Sequence, residues 1–105
     1  MSSKMANTQE AIKKDIDSNH VILFMKGSKM MPVCGFSARV IAILNELGID
    51  YETRNVLDDD SLRQGIKEFS NWPTIPQLYI GGKFIGGCDI VTELHTKGEL
   101  QKLVS

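Results

Sequence analysis

The sequence predicts an α/β domain built on a four-stranded mixed sheet flanked by helices. Three observations predict it. The run Val21-Ile22-Leu23-Phe24-Met25 is apolar on consecutive residues, as a strand covered on both faces is. Helix-period and strand-like segments alternate up to the middle of the chain, the pattern of parallel strands joined by helices. Gly81-Gly82 then lies between two short strand-like runs and marks an antiparallel hairpin.

Asn7 to Asp17 reads as the first helix: Asn7 can cap it, Glu10 stands three residues on, and Ile12 and Ile16 share a face. Residues 1–6 carry no structural signal and are read as a flexible tail, which leaves the domain to residues 7–105. After the strand Val21–Met25, Lys26-Gly27 opens a loop that runs to Val33. The helix beyond Cys34, most regular over Ala38 to Leu47, carries Val40, Ile41, Leu44 and Leu47 on one stripe, and Gly48 suits its left-handed cap. Ile49 to Val56 alternates apolar and polar residues, as a half-exposed strand does. Asp58-Asp59-Asp60-Ser61 places acids where the next helix is positive, and Leu62, Ile66 and Phe69 form its apolar face. Two prolines within Trp72-Pro73-Thr74-Ile75-Pro76 exclude helix there. Gln77–Ile80 and Lys83–Ile85 form the hairpin; Asp89 is expected to cap a fourth helix, with Gly98 interrupting it and Leu100 to Val104 closing the core.

The order α-β-α-β-α-β-β-α, with a short extra helix, makes the first two strands parallel through a right-handed crossover. With the closing hairpin this is the thioredoxin-like arrangement. Ligands of such open sheets sit beyond the carboxyl ends of the parallel strands, where Cys34 falls.

Composition narrows the function. With 42% apolar residues in 105, the chain can bury one modest core and is neither disordered nor collagen-like. Twelve basic and thirteen acidic residues are spread along it, net −1, so no nucleic-acid partner is expected. No apolar run approaches the ~20 residues of a membrane helix. Two cysteines 54 positions apart make no disulfide framework, and Met1 to Glu10 lacks a secretory h-region. Reduced intracellular thiols are therefore expected.

Cys34-Gly35-Phe36-Ser37 is the centre of the reading. A thiol at a helix start meets unpaired amides and the positive end of the dipole, which lowers its pKa and makes it a nucleophile or metal ligand. The alternative is a small buried hydrophobe. Ser37 stands where a second thiol would, and serine cannot resolve a mixed disulfide; Cys34 must work with an outside thiol, with Cys88, or with a metal. Pro76 is a candidate cis peptide that turns the Ile75 backbone towards the cysteine to pair with an extended thiol peptide, or an ordinary turn into an edge strand. Gly86-Gly87-Cys88-Asp89 starts a helix whose amides could hold a carboxylate, with Asp89 facing an amino group; a plain turn and cap is the alternative. Cys88 reads equally as a buried residue or as a slow disulfide partner of Cys34. Lys26 could stabilise a thiolate and Arg63 could reach the same groove, or both could be solvated. Trp72 fits either core or groove wall, Phe36 either core or contact surface, and Met30-Met31 either a soft partner surface or a loose loop. His20 and His95 read as surface residues.

Together, Cys34-Gly35-Phe36-Ser37, Trp72-Pro73-Thr74-Ile75-Pro76-Gln77 and Gly86-Gly87-Cys88-Asp89, with Lys26-Gly27 upstream, closely resemble the monothiol, CGFS-type glutaredoxins over residues 8–104. The loop departs from the family, with Lys29-Met30-Met31 in place of a more usual proline-containing sequence. The resemblance implies a glutathione site with Cys34 at the sulfur, Lys26 and Arg63 at the glycine carboxylate, the Ile75 backbone along the cysteinyl part, and Cys88 (through its backbone) and Asp89 at the γ-glutamyl end; Phe36 is counted among the glutathione-binding residues. It further implies a two-iron, two-sulfur cluster bridging a homodimer of otherwise monomeric chains through Cys34 and glutathione, delivered to apo iron–sulfur acceptor proteins, and a BolA-like partner. Oxidoreductase turnover on glutathionylated substrates is expected to be weak. A bacterial cytoplasmic location is expected, or a mitochondrial matrix one.

Overall fold

Val21 to Met25 decide the architecture, because all five residues are buried and need cover on both sides. The structure, a computed structural model, describes residues 4–105; the first three residues of the expected tail lie outside the described residues. In order the elements are α1 (Lys4–Ser18), β1 (Val21–Met25), α2 (Gly35–Leu47), β2 (Glu52–Asn55), α3 (Asp60–Ser70), β3 (Gln77–Ile80), β4 (Lys83–Gly86), α4 (Cys88–Thr96) and α5 (Glu99–Val104). The strands lie in the order β2-β1-β3-β4, with β1 parallel to β2 and antiparallel to β3, and β3 antiparallel to β4.

Alternate residues of β1 feed two separate cores. Val21, Leu23 and Met25 pack with Leu78 and Ile80 against Val40, Ile41 and Leu44 of α2, Val91 of α4 and Leu100 of α5. On the other side Ile22 and Phe24 join Tyr79 against Ile12 and Ile16 of α1 and Ile66 of α3. Phe24 and Tyr79 meet edge to face, 5.7 Å between centroids. Among the described residues no helix is long and apolar enough to cross a membrane.

Several boundaries differ from the expected ones, each for a local reason. The first helix starts at Lys4, three residues before Asn7, so the expected tail is helical over 4–6. The second strand shrinks from Ile49–Val56 to Glu52–Asn55, because β1 offers partners only from Ile22, opposite Glu52, to Met25, opposite Asn55. The second helix runs from Gly35 to Leu47, with Cys34 as its N-cap, one position before the first turn expected for it, and Gly48 as its left-handed C-cap. Asp89 does not cap the fourth helix: Gly87 holds that position and Asp89 lies in the first turn. Asp59 does cap α3, its carboxylate accepting from the Ser61 and Leu62 amides. The last strand extends one residue further, to Gly86.

Candidate functional site

Beyond the carboxyl end of β1, Lys26, the start of α2, Lys67 of α3, residues 72–76 and the start of α4 line an open cavity of about 460 Å³. Cys34 lines it, half-buried, held there because the chain turns from extended backbone (φ −135°, ψ 133°) into α2 at this residue. Gly35 and Phe36 are the next two residues, and Phe36 stays 63% exposed on the cavity wall and is not core.

The sulfur is set up for ionisation. The thiol makes no capping hydrogen bond of full geometry, yet an anion there gains from the Ser37 amide above all. Partial burial works against it; the Phe36 amide, the Lys26 charge and the Ser37 hydroxyl add smaller support, and the Cys34 pKa falls below the ordinary thiol value. Ser37 can serve in this way because it is fully buried, with its Oγ accepting from the Lys26 N–H at 3.1 Å. Alkylation of Cys34 by iodoacetamide should therefore show a midpoint below the ~8.5 of a free thiol. A midpoint at or above that value would refute this reading of the helix start.

Opposite the sulfur, the Ile75–Pro76 bond is cis. Among the described residues the Ile75 amide and carbonyl have no hydrogen-bond partner, although the residue is buried at the cavity wall. Such a free edge can accept an extended peptide as an added strand. Trp72 forms a further part of the wall, its ring 5.7 Å from that of Phe84 and tilted 54° to it, with its Nε1 buried and unpartnered among the described residues. The start of α4 closes the far end. There Gly87 comes close enough to the Pro76 carbonyl that an added Cβ would stand 3.2 Å from it. Asp89 is exposed at the same end and lines the cavity. Cys88 lines it too, but is buried with Sγ 4.0 Å from Thr92 Oγ1.

Comparison with known proteins identifies the lineage of this chain. The glutaredoxin family profile matches residues 21–85. A probable monothiol glutaredoxin 2 of Rickettsia typhi is 59% identical over 91% of this chain and 83% of its own length. The chain belongs to the monothiol glutaredoxins. A monothiol glutaredoxin of Synechocystis is 56% identical, covering 92% of this chain and 91% of its own. Among solved structures, reduced poplar apo GrxS14 has 51% identity and a TM-score of 0.81, with 91% of this chain and 88% of that one covered. A buckwheat glutaredoxin–glutathione complex has 27% identity and a TM-score of 0.86, with 98% and 94% covered.

In this monothiol glutaredoxin six of the seven residues singled out for the site converge: Lys26, Cys34, Phe36, Ile75, Cys88 and Asp89 line one cavity. Arg63 does not. It is exposed and absent from the lining, whereas Lys67, one helical turn later on α3, takes part in it. Nothing local distinguishes the two cations, since i and i+4 share a helix face; only the approach of α3 to the groove selects Lys67. Met30-Met31 is not a loose loop: Ser28 and Met31 exchange backbone hydrogen bonds at 3.1 Å, and the Val33 amide donates to the Lys26 carbonyl at 3.1 Å. His20 and His95 stay outside the cavity, bonded to the Val104 carbonyl and to Glu46. Among the described residues no three His, Cys, Asp or Glu side chains are grouped to hold a metal ion.

Proposed function

We propose that this glutaredoxin binds glutathione beside Cys34 and that two chains, each with its Cys34 and one glutathione, carry a two-iron, two-sulfur cluster as cargo to apo acceptor proteins. The observation that supports it most is a single ionisation-prone sulfur, with serine at the second motif position, in a groove with cations at one side and a helix N-terminus at the other.

The groove fits the tripeptide group by group. Lys26 and Lys67 would take the glycine carboxylate, with Arg63 adding positive field from outside the lining. The unpartnered Ile75 amide and carbonyl would pair with the cysteinyl residue. The Cys88 amide, at the start of α4, suits the γ-glutamyl carboxylate and Asp89 its ammonium. Glutathione supplies a second thiol where this chain has only one. Two irons present four thiolate positions, so two Cys34 sulfurs and two glutathione sulfurs complete the set. Because half of those ligands are not covalently tied to the protein, the cargo is easily released. Phe36 and the loop before Cys34 would face acceptors or a BolA-like partner. The rickettsial and Synechocystis relatives support a bacterial cytoplasmic setting; a relative named as mitochondrial, from Danio rerio, supports the matrix as the alternative.

A lowered thiol pKa also favours a second reading, attack by Cys34 on glutathionylated substrates. Appreciable turnover with glutathione and its reductase would favour that reading over the carrier. Anaerobic reconstitution with iron, sulfide and glutathione should give a coloured dimer; a colourless monomer would count against the proposal. Glutathione titration, followed by Trp72 fluorescence, should show Lys67→Ala weakened by ~3–10-fold, the worth of one partly exposed ion pair of about 1 kcal/mol. Unchanged affinity in that variant would remove Lys67 from the site.

A further inference from the structure

The loop 27–33 sets out from β1 and delivers Cys34, yet its tip buries nothing: Met30 is 92% and Met31 71% exposed. A loop without buried side chains has no packing to offset the entropy of being ordered. This one is ordered nonetheless, by the paired bonds of Ser28 and Met31 and the Val33-to-Lys26 bond. Those bonds shape the turn but do not anchor its tip to the rest of the fold. Lys29 does. Its Nζ donates to the Tyr51 carbonyl at 2.6 Å and stands 4.1 Å from the centroid of the Tyr51 ring. Tyr51 is a firm anchor, 7% exposed, its hydroxyl donating to Asn45 Oδ1 at 2.7 Å. One ammonium thus meets a carbonyl and a π face together, a combination open to a cation and not to a neutral side chain.

We infer that Lys29 is a positioning residue, a charged clasp that fastens the loop before Cys34 to Tyr51 and so sets where the groove's sulfur stands. Its effect on ligand binding rests on the glutathione reading above; its effect on the loop does not. Any change that removes the charge, lysine acylation included, should release the loop without unfolding the domain.

The test is amide hydrogen exchange on the whole, ligand-free chain. In Lys29→Ala and in Lys29→Met, which keeps the stem but not the charge, protection of the Met31 and Val33 amides should fall by ~10-fold, equivalent to about 1.4 kcal/mol of loop order. The β1 and β3 amides should keep theirs, and Lys29→Arg, which retains a cationic donor able to stack on the ring, should restore the loop. Glutathione affinity should weaken by ~5-fold in the first two variants and recover in the third. Unchanged loop protection in Lys29→Met overturns the clasp, and lost protection with unchanged affinity overturns its positioning role. A parent protein that binds no glutathione at all removes the function proposed above and leaves the exchange ratios to decide the clasp.

Discussion

Cys34→Ser will abolish both colour and chain pairing when the protein is reconstituted without oxygen in iron, sulfide and glutathione. The groove presents one accessible thiol per chain; Ser37 occupies the second motif position, and Cys88 is buried. Serine keeps the size and the helix start but does not ionise near neutral pH, so each cluster would lose two of its four thiolate ligands. Cluster content should fall by ~100-fold or more, beyond the 10–100-fold that even outer-shell changes produce at metal sites. The fold should survive, since Cys34 belongs to neither core. Cys88→Ser should retain the cluster. The absorption spectrum and the elution volume, read together, check this; colour that persists in Cys34→Ser would transfer the ligand role elsewhere and sink the carrier reading.

The second large effect is expected at Gly27. Its φ is +97°, and an added Cβ would stand 2.6 Å from both the Met31 carbonyl oxygen and the Val33 nitrogen and 2.9 Å from Pro32 Cα. All three are backbone atoms, so no side chain can swing aside. Left-handed strain and collision therefore act together, and Gly27→Ala should cost about 2–4 kcal/mol. Spread over a domain of this size, that lowers the thermal midpoint by roughly 10–20 °C. The Gly27 N–H also donates to Asn55 Oδ1 at 3.0 Å, so a loop displaced to relieve the clash loses its tie to the end of β2. Gly35→Ala is the internal control. Eight residues away, an added Cβ there meets nothing within 4 Å and the residue is helical, so the change should be neutral or stabilising by up to ~1 kcal/mol. Calorimetry on the two variants separates these outcomes, and equal midpoints would show that the loop yields freely.

Much of this site was legible because it is written in short stretches. The thiol at a helix start, the serine three residues on, the Ile75-Pro76 bend and the Gly86-Gly87-Cys88-Asp89 turn each declare themselves within a few positions. Lys67 did not. It shares a face of α3 with Arg63, and no periodicity says which turn of a helix will approach a groove formed by other elements. The order of the Met30-Met31 loop was hidden for a similar reason: its anchors, Tyr51 and Asn55, lie more than twenty positions downstream. Asp89 misled in the other direction, because an aspartate just after a glycine pair and a cysteine reads as the cap, whereas the extended backbone places Gly87 there and leaves the carboxylate at the cavity.

By itself, then, the sequence determined the succession of helices and strands, the burial of β1 on both faces, and a cysteine at the start of α2 with serine three residues on. These follow from spacing and backbone chemistry, which act over neighbouring residues. Only the tertiary structure decided which lysine lines the groove, that the methionine tip is held rather than loose, and that Cys88 is buried at the cavity wall. Those outcomes depend on how helices approach one another over a closed core, a distance that packing sets and residue order does not express.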